Sequence, residues 1–152
     1  MLDPPVKSCI NYLCPMPRIL AIDYGAKRTG LAVTDPLQII ATPLDGVRTH
    51  DLEDYLMKYL EKEDVEMVVL GYPLDDDDQP THNTPLVEAF ANRFRKLFPK
   101  VPLVLQDEWS TSRMAVQSMI AAGTRKKQRR EKLNVDQVSA TLILKAYLEN
   151  SL

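Results

Sequence analysis

Three acidic positions stand where apolar segments of this 152-residue chain end or begin. Asp23 follows the run Arg18–Ile22 (RILAI), Asp107 and Glu108 follow Pro102–Gln106 (PLVLQ), and Asp136 lies among Leu133, Val135, Val138 and Ala140. Singly, each has an ordinary explanation. An aspartate at a strand end caps a turn, and Asp136 would suit the first turn of a helix. Together they suit one chemistry. Hard divalent cations such as Mg²⁺ or Mn²⁺ take oxygen ligands, commonly one or two carboxylates each, and keep several waters. Two such ions about 4 Å apart can stabilise both the attacking and the leaving oxygen in phosphodiester hydrolysis. That arrangement needs three or four carboxylates from different elements at one rim. It needs no histidine base, and His50 and His82 fall in predicted loops.

Candidate phosphate contacts lie beside these acids. Lys27 and Arg28 follow Asp23 by four and five residues, in a predicted turn. Arg125, Lys126, Lys127, Arg129, Arg130 and Lys132 supply six basic residues in eight and lead into the Asp136 segment. A solvated basic loop is the plain alternative for that run; a grip on a polyanion is the functional one. The overall charge of −2 speaks against nucleic acid, since such domains tend to be basic. The average conceals a segregation. Residues 1–90 hold seven Lys/Arg against sixteen Asp/Glu, whereas residues 91–152 hold twelve against five.

The elements that must position these residues follow from periodicity and breakers. Arg18–Ile22 and Thr29–Val33 read as strands of a hairpin, Gln38–Thr42 as a third strand stopped by Pro43, and Glu66–Gly71 as a buried parallel strand. Pro102–Gln106 makes a fifth. Asp51–Lys62 carries Leu52, Tyr55, Leu56, Tyr59 and Leu60 at helical spacing, and Pro85–Phe98 carries a stripe of Leu86, Phe90, Phe94 and Leu97. A further helix is predicted from Ser110 or Thr111 to Gly123, then a basic connector over Thr124–Asn134 and an amphipathic helix over Val135–Glu149. Asp75–Thr84, with four consecutive aspartates, reads as a surface loop. This order predicts an α/β domain over residues 18–150: one mixed five-stranded sheet with helices on both faces. Ligands of such sheets sit at the carboxyl ends of strands.

Residues 1–17, with four of the eleven prolines, read as an irregular N-terminal extension. Cys9 and Cys14 form no zinc or disulfide pattern and suit free thiols in a cytoplasmic protein. No apolar run reaches the roughly 18 residues of a membrane helix.

The same residues resemble a family. Ile22-Asp23-Tyr24-Gly25-Ala26-Lys27-Arg28-Thr29-Gly30-Leu31-Ala32-Val33-Thr34-Asp35 is similar to the opening motif of the YqgF/RuvX family. Gly71-Tyr72-Pro73-Leu74, Asp107-Glu108-x-x-Thr111 and Asp136-x-x-Ser139-Ala140 match in order. The resemblance spans about residues 18–149. It implies a ribonuclease-H-like fold and a cytoplasmic divalent-metal nuclease acting on structured nucleic acid, assigned to the 5′ end of precursor 16S ribosomal RNA. Carried over by position, Asp23, Glu108 and Asp136 would be the catalytic metal ligands for two Mg²⁺ or Mn²⁺ ions, with Asp107 a neighbour. Junction-resolving enzymes act as dimers, so the resemblance also brings a homodimer into view. Two departures stand out: Trp109 occupies the place of the family's arginine, and the Asp75–Asp78 loop is unusually acidic.

Alternative functions remain open at this level. One is resolution of branched DNA. Another is a non-catalytic nucleic-acid-binding module, with Trp109 stacking on a base. A third is a phosphotransferase, since Asp23-Tyr24-Gly25 also suits an actin-like phosphate loop, although that needs a second domain.

Overall fold

The computed structural model describes residues 17–75, 77, 79–108 and 132–150, apart from the side chains of residues 108 and 132–135. The described residues open with a hairpin of β1 (Arg18–Tyr24) and β2 (Arg28–Thr34), followed by β3 (Ala41–Arg48). A single 3₁₀ turn (Thr49–Asp51) leads into α1 (Leu52–Lys62). Then come β4 (Val65–Pro73), α2 (Thr84–Leu97), β5 (Leu103–Glu108) and α3 (Lys132–Asn150). The strands form one five-stranded sheet in the order β3-β2-β1-β4-β5. The β1–β2 and β2–β3 pairs are antiparallel, and β1–β4 and β4–β5 are parallel. The expected mixed sheet is therefore present, and the carboxyl ends of β1, β4 and β5 share one rim.

Alternation along the strands creates two cores. Leu20, Ile22, Tyr24, Leu31, Val33, Val68 and Leu70 point to one face, where they bury Leu52 and Leu56 of α1 and Val87, Phe90, Ala91 and Phe94 of α2. Burying a ring such as Phe90 in this layer stabilises by about 2–3 kcal/mol. Ile19, Ala21, Ala32 and Val69 point to the opposite face, against Ala140, Ile143 and Leu144 of α3. The residues on this second face are smaller, which lets α3 approach the sheet closely.

Two boundaries and one buried stripe differ from the sequence reading, each for a local reason. The third strand is Ala41–Arg48, not Gln38–Thr42, and Pro43 lies inside it. β3 is an edge strand and its register with β2 shifts between Leu31 and Ala32, which are the conditions under which a strand tolerates proline. Residues 37–40 instead form a loop folded around Asp35, whose carboxylate accepts the amides of Leu37, Ile39 and Ile40. Those amide donors, that of Ile40 foremost, hold the Asp35 pKa below the usual aspartate range. In α2 the buried stripe is Val87, Phe90, Ala91 and Phe94, and Leu86 and Leu97 are exposed. The last helix starts at Lys132, so Asp136 lies one turn in rather than in the first turn. The predicted Ser110–Gly123 helix and most of the basic connector lie outside the described residues.

Ser139 is fully buried on α3, and its hydroxyl has no hydrogen-bond partner among the described residues. Burying an unpaired hydroxyl costs about 1–3 kcal/mol. Its small size suits the tight helix–sheet contact, and its polarity does not. Ser139→Ala should therefore leave the packing intact and raise the urea midpoint, corresponding to about 1 kcal/mol. A lowered midpoint would show that the hydroxyl is satisfied in solution.

Candidate active site

Asp23 is the penultimate residue of β1 and pairs in register with Gly30 of β2. It alternates with Ile22 and Tyr24, so it shares the face of Ile19 and Ala21, beneath α3. Direct partners in an antiparallel pair lie about 4.5–5.5 Å apart. Gly30 is where α3 touches down. A Cβ there would overlap the carbonyl group of Asp136 and lie 2.8 Å from the amide nitrogen of Gln137. The Asp136 backbone thus rests on the residue directly opposite Asp23. Two acids separated by 113 positions become neighbours, and both are half-buried.

The other face holds β1 in this orientation. The Tyr24 ring stacks on Phe90 at 4.6 Å between centroids. Its hydroxyl accepts from Arg93 Nη2 at 3.3 Å, and its carbonyl accepts from Asn83 Nδ2 at 2.8 Å. Adjacent strand residues face opposite ways. Pinning Tyr24 to α2 therefore aims Asp23 at α3. Thr84 Oγ1 also donates to the Pro73 carbonyl at 2.8 Å, so the start of α2 ties down the ends of both β1 and β4.

At the β5 end, Asp107 pairs with Tyr72 and Glu108 with Pro73. Tyr72 packs on the α1/α2 side, and its hydroxyl donates to Glu88 at 2.7 Å. That bond raises the phenol above its usual pKa, and the nearby Asp107 charge adds to the effect. Asp107 thus belongs to the Tyr72 environment, while Glu108 holds the next register position. β4 separates β5 from β1, so their backbones stand two strand spacings apart, about 10 Å. Among the described residues no three His, Cys, Asp or Glu side chains form a metal-binding group. The Glu108 side chain, Trp109, Thr111 and the predicted contacts Arg125, Lys126, Lys127, Arg129 and Arg130 lie outside the described residues.

The described cations at this rim come from the acidic half of the sequence. Lys27 is exposed in the β1–β2 turn, and Arg28, half-buried, begins β2. Gly25 allows that turn to close, since a Cβ there would overlap the Arg28 carbonyl oxygen. Sequence reasoning missed Arg48, which ends β3 directly opposite Arg28. The signal would have been a register in which Gly30 faces Gly46, and the displaced third strand hid it. The acids of α1 belong to the opposite layer, where Glu53 pairs with Arg93 at 2.9 Å.

Comparison with known proteins places this geometry among relatives. The sequence profile described as "RuvX: Holliday junction resolvase" matches residues 17–150. A curated protein of Phocaeicola vulgatus named "Putative pre-16S rRNA nuclease" is 50% identical over 135 residues, covering 89% of this chain and 97% of its own. Proteins of the same name from Flavobacterium johnsoniae and Porphyromonas gingivalis are 46% and 48% identical, each over 89% of this chain and 98% of their own. Among solved structures, the T. thermophilus RuvC bound to a Holliday junction substrate superposes with a TM-score of 0.53 at 15% identity, covering 89% of this chain and 96% of that one. That likeness establishes a ribonuclease-H-like fold.

Proposed function

Because the chain belongs to the RuvX family of Holliday junction resolvases, we propose that it is a nuclease hydrolysing phosphodiester bonds in structured nucleic acid, acting at the 5′ end of precursor 16S ribosomal RNA. The observation that carries the reading is the seating of Asp136 on Gly30, directly opposite Asp23 at the carboxyl rim of the sheet. Asp23, Asp136 and Glu108 would hold Mg²⁺ or Mn²⁺. The donor set fits, being hard carboxylate oxygens from two strands and one helix. When bound, divalent ions supply the charge neutralisation that phosphodiester hydrolysis demands.

The chain's own residues do the rest. Asp23 and Asp136 are half-buried, one on a strand and the other on a helix. Lys27 and Arg28 bind the substrate backbone beside them, joined by Arg125, Lys126, Lys127, Arg129 and Arg130. The α1 acids sit on the opposite layer and so do not repel a polyanion at the rim. A second reading, cleavage of branched DNA, rests on the family's description. Its homodimer would have to present two rims to one junction.

The test pairs two measurements. The wild-type protein should trim a precursor 16S transcript at its 5′ side in Mn²⁺ and not in EDTA, and a four-way DNA junction distinguishes the second reading. Independently, millimolar Mn²⁺ should raise the melting temperature, since a ligand held only by the folded state stabilises it. Metal-independent cutting together with an unmoved melting temperature would overturn the site.

A further inference from the structure

Arg28 and Arg48 are direct partners across the antiparallel β2–β3 pair. Their Cβ atoms therefore lie about 4.5–5.5 Å apart on one face, and like charges so placed destabilise a sheet. Among the described residues neither makes a salt bridge. The alternation that puts Gly30 under α3 puts Arg28, two residues away, on the same face as Asp23. Three hydrogen bonds also fasten the Arg48 end of β3 to the turn that follows Asp23. The Thr49 amide donates to the Lys27 carbonyl at 3.0 Å, Thr49 Oγ1 donates to the Gly25 carbonyl at 2.6 Å, and the Thr29 and Thr49 hydroxyls share a bond of 3.0 Å.

We propose that Arg48 and Arg28 form a two-arginine clamp for a backbone phosphate flanking the scissile one. The clamp lies on the side of Asp23 away from Glu108. Two guanidinium groups held opposite each other are a poor arrangement for the free protein and a good one around a shared phosphate, which guanidinium binds through paired N–H donors. The acids occupy the centre and the β5 side of the rim, and the clamp occupies the β3 side. The substrate strand then runs across the sheet edge from β3 toward Asp23. The inference rests on the nuclease reading for the identity of the polyanion.

The test uses a fluorescein-labelled stem-loop RNA bound in EDTA, where no cleavage competes, so binding is scored apart from activity. Each lost phosphate contact lowers the slope of log K against log salt by about 0.7–0.9, or roughly fourfold to sixfold in Kd at 0.15 M. Arg48→Gln should show that loss, raise KM in Mn²⁺ with kcat unchanged, and raise the melting temperature of the free protein at low salt. Arg48→Lys, which keeps the charge, should retain the slope. An unchanged slope and Kd in Arg48→Gln overturns the clamp, as does an equal loss in Arg48→Lys or a lowered melting temperature in Arg48→Gln. Absence of metal-dependent cleavage by the wild-type protein counts against the nuclease reading and leaves these binding outcomes readable.

Discussion

Asp23→Asn should eliminate cleavage while leaving the fold standing. Metal ligation supplies several kcal/mol of transition-state stabilisation, and each 1.36 kcal/mol or so is tenfold in rate. A fall of about 10³-fold or more is therefore expected. The same substitution removes the carboxylate of the residue paired with Gly30, on which the Asp136 backbone rests. The Mn²⁺-induced rise in its melting temperature should vanish. Asp107→Asn is the internal control. Asp107 stands opposite Tyr72, on the α2 side of the sheet. Its loss should leave the rate within a few-fold, and the Tyr72 phenol, raised first by its bond to Glu88, should stay above its usual range. Full activity in Asp23→Asn, or equal damage in both variants, would refute the assignment of roles along this rim.

Gly30→Ala should damage stability and activity together. The added methyl would overlap the Asp136 carbonyl and press on the Gln137 amide, which are backbone atoms that cannot rotate away. α3 would have to lift by about 1.4 Å to restore ordinary contact. Overpacking of a tight core costs about 1–3 kcal/mol, and the upper end applies where only backbone can yield. Lifting α3 also carries Asp136 away from Asp23, and a misplacement of about 1 Å can cost 10²-fold in rate. Urea unfolding and metal-dependent cleavage, measured on one preparation, read both effects. Wild-type values for each would mean that α3 does not rest on Gly30 in solution.

Much of the fold was legible because its strands are short apolar runs with clear stops. Arg18–Ile22, Thr29–Val33 and Glu66–Gly71 lie inside observed strands, and the sheet with helices on both faces follows from their order. The errors came where context overrides a local rule. Pro43 stops a central strand, but it sits in an edge strand at a register shift. Leu86 and Leu97 are as apolar as Val87 and Ala91, and only the direction from which the sheet approaches α2 selects the latter pair for burial. Arg48 was overlooked for a related reason. Its partnership with Arg28 depends on a pairing register that the sequence expresses only through two glycines.

By itself, the sequence determined the candidate chemistry: carboxylates at apolar segment ends, basic residues beside them, and an ordered set of motifs extending over most of the chain. It did not determine which acid of Asp107-Glu108 shares the rim with Asp23, nor whether Asp136 merely favours a helix start. Tertiary structure decided the place of Asp107 and Asp136. Strand alternation and the β4–β5 register put Asp107 beside Tyr72 on the far face. The contact of α3 with Gly30 brings Asp136 to Asp23 from the second turn of its helix. The physical reason is that a carboxylate's role depends on which face it leaves and what backbone lies opposite. Both are properties of register and helix docking, set by packing between segments far apart in the chain.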